Sequence, residues 1–222
     1  MIPFDPSSRE IYREYKKLKN TRISLNQKIL DTSLADDAVE KSMQLLGIDR
    51  EEKGKSNPVI RFDTEGENEA LLDFMIHEYR TENINAVERF DAVHKNKSAM
   101  ERKVIKAYLS SYTSLFRVSA ITRENHSVFL EDILNSKTHI QLIDIGLSES
   151  GFPGLFLFLR LVPMKNFHIS SGMFFMFQKE QEVILNVYKE IAGKTNIECK
   201  AMKRFIDFFK TNKICGTPIR YQ

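Results

Sequence analysis

The chain has 222 residues, of which 42% are hydrophobic and 28% charged, and its formal net charge is +3 at pH 7. This composition is that of a globular protein with one sizeable core or two small ones, and it excludes disordered and collagen-like chains. The charge is uneven, since residues 1–110 carry 19 basic and 20 acidic side chains (net −1) and residues 111–222 carry 14 and 10 (net +4). This asymmetry permits a basic patch on the second half.

Several functional classes are disfavoured by what the sequence lacks. Cys199 and Cys215 are too few for a disulfide framework or a structural zinc site. The five histidines have no spacing typical of metal ligands, and no glycine-rich phosphate-binding motif occurs, so neither a metal nor a cofactor is expected. The first residues do not resemble a secretory signal, and no apolar run approaches the roughly 18 residues of a membrane span. We therefore expect a cytoplasmic protein without membrane contacts.

Two helices are predicted at the start of the chain. A capping-box pattern formed by Ser7 and Glu10 marks the first, and apolar residues follow at steps of three and four. Arg22 interrupts this apolar stripe, where it either pairs with a buried carboxylate or extends to water. The second helix is predicted to begin with Ser33 as its cap and to end at Gly47.

A loop is predicted to separate these helices from the next ones. Residues 48–67 have little periodicity, which is typical of an exposed loop or linker. A second capping box, formed by Ser98 and Glu101, marks the start of a later helix. Helices are therefore predicted over residues 68–80, 85–94 and 99–111.

The middle of the chain changes to a run of β-strand patterns separated by turn residues. Alternating apolar side chains indicate five strands, over residues 115–122, 127–134, 139–146, 155–162 and 167–177. The fourth is apolar on both faces except for Arg160, so we expect a central strand that is covered on both sides. Mostly short links favour an antiparallel meander that closes into a small SH3-like or OB-like barrel.

Phenylalanines are concentrated in this stretch. Nine of the sixteen in the chain lie here, at positions 116, 129, 152, 156, 158, 167, 174, 175 and 177. We expect them to form an aromatic-rich barrel core, and a face that stacks on a ligand is the alternative.

Two helices are predicted after the strands, over residues 179–193 and 196–213. The last is amphipathic, with a basic side that includes Lys200, Lys203 and Arg204. It is expected to pack on the barrel with its basic side in solvent, and contact with a membrane surface or nucleic acid is the alternative. The predicted fold class is therefore α+β, with a helical part over 1–112, the barrel over 113–178 and C-terminal helices over 179–222.

Two stretches resemble a group of largely uncharacterised microbial proteins. A helical segment of that group is similar to ENEALLDFMIHEYRTENINAVERF (residues 67–90), and its barrel-like part is similar to the order SLFRVSAI, VFLEDIL, LIDIGLSES, RLVP and SSG. Some members end in a cysteine-rich SEC-C motif that is expected to hold zinc, and this chain lacks that motif. The resemblance implies a helical part followed by a barrel, and it implies no substrate.

The candidate catalytic residues lie in and near the helical segment of this resemblance. His77 and Glu78 are adjacent, and Glu88 precedes an arginine and an aromatic residue. Together they would form a polar cluster suited to acid–base chemistry, or an ion pair that only orients two helices.

The candidate binding residues are mostly cations on or beside the strands and on the last helix: Arg117, Arg160, His168, Lys200, Lys203 and Arg204. Small barrels bind single-stranded nucleic acid through cations that lie beside exposed rings, for which Phe129 is a candidate here. Asp132 and Asp144 lie among apolar neighbours, so they are expected to cap turns or to pair with Arg160, because an unpaired buried carboxylate is costly.

Three functional hypotheses follow. The first is a non-enzymatic interaction or adaptor protein, which predicts an exposed apolar patch on the barrel or the last helix for a protein partner. The second is a nucleic-acid-binding protein that uses the basic barrel and the last helix. The third is a hydrolase-like enzyme, which predicts a pocket with convergent ionisable groups around His77, Glu78 and Glu88.

Overall fold

The architecture is that of a computed structural model, which describes residues 6–48, 50–51, 59–60, 62 and 64–217. The described residues form eight α-helices: α1 (Pro6–Ser33), α2 (Ala38–Leu46), α3 (Glu65–His77), α4 (Ala86–Val93), α5 (Ala99–Leu109), α6 (Ile145–Ser150), α7 (Gln181–Ala192) and α8 (Lys200–Cys215). They also form seven strands: β1 (Arg50–Glu51), β2 (Val59–Ile60), β3 (Tyr112–Thr122), β4 (Ser127–Asp132), β5 (Lys137–Ile143), β6 (Phe156–Pro163) and β7 (His168–Phe177). The predicted α+β class is confirmed.

Five strands close into a barrel in the order β3-β4-β5-β7-β6. Neighbours are antiparallel except β5 and β7, which run parallel and meet at the register pair Leu142–His168. The predicted meander, antiparallel throughout, is therefore wrong. The meander would pair β6 with β5. Instead β6 pairs with β3, and β7 lies between β5 and β6. This is the Greek-key order of an OB-like barrel and differs from the sequential order expected of an SH3-like one.

The barrel interior is mainly aliphatic. Its core contains Phe116 among leucine, valine and isoleucine side chains. The phenylalanines of β6 and β7 belong to a different cluster, in which they pack outside the barrel against α8: Phe156, Phe158, Phe175 and Phe177. The expected aromatic barrel core is thus wrong, because a strand covered on both faces is apolar on both, and its sequence does not say which face lies inside.

Two clusters join the helices to the outside of the barrel. The first packs α2, α3, α7 and α8 on β6, β7 and the start of β3. The second packs α1, α4 and α5 on the opposite ends of β6 and β7 and on the end of β5. Helix α3 takes part in both, with Phe74 in the first cluster and Ile76 in the second. Strand β6 is buried along its length except at Pro163, as its apolar sequence predicts.

Several predicted boundaries differ from those observed. Ser33 is the last residue of α1, and α2 begins after Asp37. The predicted loop over 48–67 contains the β1–β2 hairpin and the first residues of α3, and its other residues lie largely outside the described part of the chain. The side chains of Ser7 and Glu10 also lie outside it. The capping box of Ser98 and Glu101 is confirmed.

The two buried-carboxylate candidates cap turns and do not meet Arg160. Asp132 Oδ1 accepts hydrogen bonds from the backbone N–H groups of the turn after β4, at 3.2 and 3.1 Å. Asp144 Oδ1 accepts from the Leu147 N–H at 3.0 Å and caps α6, a short helix that the strand pattern did not reveal. None of the helices in the described residues is both long and apolar enough to cross a bilayer.

Candidate functional site

Helices cover much of the outer surface of the barrel, but one face is open. The covering ends along β3, where Leu115 is buried under the helices and Arg117, two residues further on, is exposed. Outward side chains of β4 and β5 continue this partly or fully exposed surface. We call it the open face, and its residues are Arg117, Ser119, Phe129, Glu131, Lys137, His139 and Gln141.

Phe129 lies at the centre of the open face. Its register partners are Ala120 on β3 and Gln141 on β5, and its ring is partly exposed. The Ser119 hydroxyl donates a hydrogen bond of 3.1 Å to the Phe129 carbonyl and so fixes the backbone at the bulge in β3. A partly exposed ring that is held on a sheet is suited to stack on a flat ligand.

Charged side chains flank this ring. Arg117 donates two hydrogen bonds to Oε2 of Glu131, from Nε at 3.0 Å and from Nη2 at 2.6 Å. Because both side chains reach solvent, this ion pair contributes little to stability, so exchanging Glu131 for a phosphate partner would cost little. Lys137 is the first residue of β5 and lies at the end of the face where β4 ends. Its Nζ is 5.1 Å from the ring centre of Tyr112.

Two loops border the opposite end of the open face, where β3 ends and β4 begins. Residues 123–126 join β3 to β4, and residues 164–167 join β6 to β7, whose first residue pairs with the end of β5. Each loop carries an exposed cation, Arg123 or Lys165. The exposed charges of the face and its two loops therefore sum to about +2, from Arg117, Arg123, Lys137 and Lys165 against Glu124 and Glu131.

His168 lies at the border of the open face. Its Nδ1 is 3.2 Å from the carbonyl oxygen of Gln141. Partial burial lowers its pKa, although the hydrogen bond to that carbonyl acts in the opposite direction. The ring is therefore mainly neutral at pH 7 and offers the face a polar edge without a charge.

The other predicted binding residues lie away from this face. Arg160 is buried beneath α3. Lys203 Nζ pairs with Oδ2 of the buried Asp207 at 2.8 Å, and Arg204 Nη1 donates to a backbone carbonyl of β3 at 2.7 Å. Lys200 is exposed at the first position of α8. Lys203 Nζ also donates to the Ala192 carbonyl of α7 at 2.6 Å, so two of the three candidate cations on this helix join it to neighbouring elements, which a reading of its basic side could not show.

The three candidate catalytic residues do not share one site. Glu78 Oε1 accepts a hydrogen bond of 2.6 Å from Arg160 Nη2 in a buried ion pair. Glu88 lies at the surface, where it pairs with Arg80 at 2.9 Å and completes the capping box of α4. His77 is buried, with its ring edge-on to Tyr108. The sequence neighbours His77 and Glu78 thus have different partners.

His77 lines a cavity of about 240 Å³ between α1, α3 and β7, whose walls also include Arg22 and Ser171. Burial lowers the pKa of His77 well below its ordinary value, and the charges of Arg160 and Arg22 lower it further. Arg22, predicted to find a carboxylate or water, donates to the backbone carbonyl of Ser170. Within the described residues no hydrogen bond joins His77 to the Ser171 hydroxyl, so a base-activated serine nucleophile is not assembled there.

Comparisons with known proteins give a family and no activity. The sequence model of a family of unknown function (DUF7986) matches residues 9–222. No curated protein and no solved structure matches the chain. In the part of the chain that the structure describes, no three His, Cys, Asp or Glu side chains come together as a potential metal site.

Proposed function

Since this chain belongs to a family of unknown function (DUF7986), we propose its function from the open face: the protein binds single-stranded nucleic acid there. The observation that carries the proposal is the position of Phe129, partly exposed at the centre of a β4–β5 surface that helices leave open. OB-like barrels bind oligonucleotides on the corresponding strands and on the two loops that border them. That correspondence is an analogy of fold, and the residues of the face have to support it.

The side chains of the open face supply both interactions that such binding needs. The ring of Phe129 offers a stacking platform, which is tolerant of base identity because every base has a flat face. Arg117, Lys137 and the loop cations Arg123 and Lys165 can contact phosphates on either side of that ring. The modest excess of positive charge favours weak, salt-sensitive binding with little base specificity.

The test is a fluorescence-anisotropy titration of a labelled single-stranded oligonucleotide of mixed sequence, at several salt concentrations. Phe129→Ala is expected to weaken binding about tenfold or more, because stacking contributes about 1–3 kcal/mol per base. Arg117→Ala is expected to reduce the salt dependence by about one phosphate contact. Glu131→Gln is expected to strengthen binding, because it frees Arg117 and removes a negative charge.

Lys200→Ala is the matched control, since it removes an exposed cation of α8 outside the open face. The proposal requires that this variant bind as the unaltered protein does. Loss of binding in Lys200→Ala with none in Phe129→Ala would transfer the contact to α8 and contradict the proposal. If the anisotropy of the oligonucleotide did not rise with protein concentration even at low salt, the proposal would be contradicted as well.

A second candidate, the interaction or adaptor protein, is supported by an apolar groove on α8 that is described below. Two finer predictions also belong to this proposal. A cytoplasmic location is supported by the two cysteine thiols, Cys199 and Cys215, which are both free. The second finer prediction is that the chain is related to the microbial group in which some members carry a SEC-C motif.

A further inference from the structure

An apolar groove lies on the side of the helical layer that faces away from the barrel core. It has a volume of about 540 Å³ and lies between α2, the end of α7 and α8. We call it the isoleucine groove, and its apolar lining consists of Leu45, Ile191, Ile197, Ile206 and Ile214. These side chains come from three helices and the α7–α8 connection, so the groove is concave and is not the flat side of one helix.

The groove is open to solvent along α8. Ile206, Lys210 and Ile214 are spaced four residues apart and therefore lie on one side of the helix. Ile206 is fully buried and forms the floor, whereas Ile214 is 67% exposed at the margin. An isoleucine this exposed beside a buried one extends the core cluster to the surface, and such a patch is typical of a contact site.

The rim of the groove is basic. Its charged members are Lys194 and Lys210, and its other polar members are Gln44, Thr195 and Asn196. No carboxylate is among the residues that line it, and neither lysine forms an ion pair with the part of the chain that the structure describes. The charged side chains that line the groove are therefore both cations, an arrangement that favours acidic partners over basic ones.

We propose that the isoleucine groove binds an acidic amphipathic helix of a partner protein. Apolar residues of the partner at steps of three and four would cover Ile197 and Ile214, above the floor formed by Ile206, and carboxylates beside them would face Lys194 and Lys210. A bilayer surface would also meet apolar and basic groups, but a flat interface cannot fill a groove between three helices. This inference goes beyond nucleic-acid binding and does not depend on it, because the open face and the groove share no residue.

The experiment is a selection from a displayed library of helical peptides of about 16 residues, a length that spans four turns. The library is selected on the full chain alone, and the recovered peptides are then tested on the Ile214→Glu variant, which is expected to fold because this side chain is 67% exposed. The peptides recovered are expected to be amphipathic and negatively charged. Their affinity, measured by anisotropy, is expected to fall about tenfold or more in Ile214→Glu and in Lys194→Glu/Lys210→Glu.

Val183→Glu is the matched control, because Val183 is another exposed apolar residue, on α7 and outside the groove. It is expected to leave peptide affinity unchanged. Recovery of no peptide, of basic peptides, or of peptides whose binding ignores Ile214→Glu would overturn the proposal. So would a dimer in light scattering that Ile214→Glu dissociates, or flotation with anionic vesicles that Ile214→Glu abolishes, since a second copy or a membrane would then be the occupant.

Discussion

Arg160 lies in a buried ion triad, with Nε 2.9 Å from Asp73 Oδ2 and Nη2 2.6 Å from Glu78 Oε1. Burial by itself would lower the pKa of Arg160, but the two carboxylates outweigh it and raise the pKa above its ordinary value. The guanidinium is thus charged. It joins β6 to Asp73 in α3 and to Glu78, the residue that follows α3. A triad of this kind fixes which residues face each other more than it adds net stability.

Arg160→Met is expected to lower the free energy of unfolding by about 3–5 kcal/mol, because it leaves Asp73 and Glu78 buried without a cation. Replacing all three charges, in Arg160→Met/Asp73→Leu/Glu78→Met, is expected to recover a large part of that loss. Urea unfolding followed by circular dichroism measures both. Equal losses in the single and triple variants would show that the site depends on shape and not on charge.

His77 gives the fold a pH dependence with a defined sign. Its pKa is lowered in the folded state, so below its ordinary value of 6.5 the unfolded chain binds a proton that the folded chain does not. Stability from this residue is therefore complete above pH 6.5 and is lost as the pH falls further. From pH 7 to 5.5 we expect the unaltered chain to lose roughly 1 kcal/mol more than His77→Phe, which keeps a ring against Tyr108. Urea unfolding at pH 7 and at pH 5.5 measures both losses. An equal loss of unfolding free energy in the unaltered chain and in His77→Phe would contradict this prediction.

At the scale of elements, α4 shows why Glu88 is distinctive in the sequence. Asn85 Oδ1 accepts from the Glu88 N–H at 2.9 Å, and Glu88 Oε2 accepts from the Asn85 N–H at 2.8 Å. The amide of Asn85 also donates to the His77 carbonyl at 2.8 Å and joins the start of α4 to the end of α3. A polar pattern that resembles a site is here the start of a helix.

Asn85→Ala is expected to lower the free energy of unfolding by about 1–2 kcal/mol, since it removes the cap and leaves the buried His77 carbonyl without this donor. Glu88→Gln keeps an acceptor for the capping box and is expected to cost under about 0.5 kcal/mol, the loss of an exposed ion pair with Arg80. Thermal unfolding distinguishes the two. A larger loss in Glu88→Gln than in Asn85→Ala would mean that the charge of Glu88 matters more than its cap.

At the scale of the whole molecule, the sequence predicts the strands better than their order. Alternation located β3 to β7 to within a few residues, because each strand has one face in the barrel core. It could not show that β6 pairs with β3, since apolar strands carry no record of their neighbours. Likewise the alternation pattern predicts Asp144 on a strand, although its carboxylate caps α6, the helix between β5 and β6.

The candidate site was predictable in part for the same reason. Phe129 and Arg117 are visible as outward residues of strands, so a reading of alternation finds the open face. Arg160, Lys203 and Arg204 are cations of the same kind in sequence, but two distant carboxylates hold Arg160 in the interior, and Lys203 and Arg204 are partly buried in contacts within the chain. A contact between residues 82 or 87 positions apart leaves no local pattern.

The phenylalanines on the outer wall of β6 and β7 make the barrel and the helices mutually dependent. A fragment that contained only the strands would present Phe156, Phe158, Phe175 and Phe177 to water, and α8 alone would present Phe205, Phe208 and Phe209. Either piece would aggregate before it could serve as a smaller substitute for the whole. The open face and the isoleucine groove are therefore inherited together, and natural variation that removes either layer of these aromatic contacts would also lose the surface carried by the other layer.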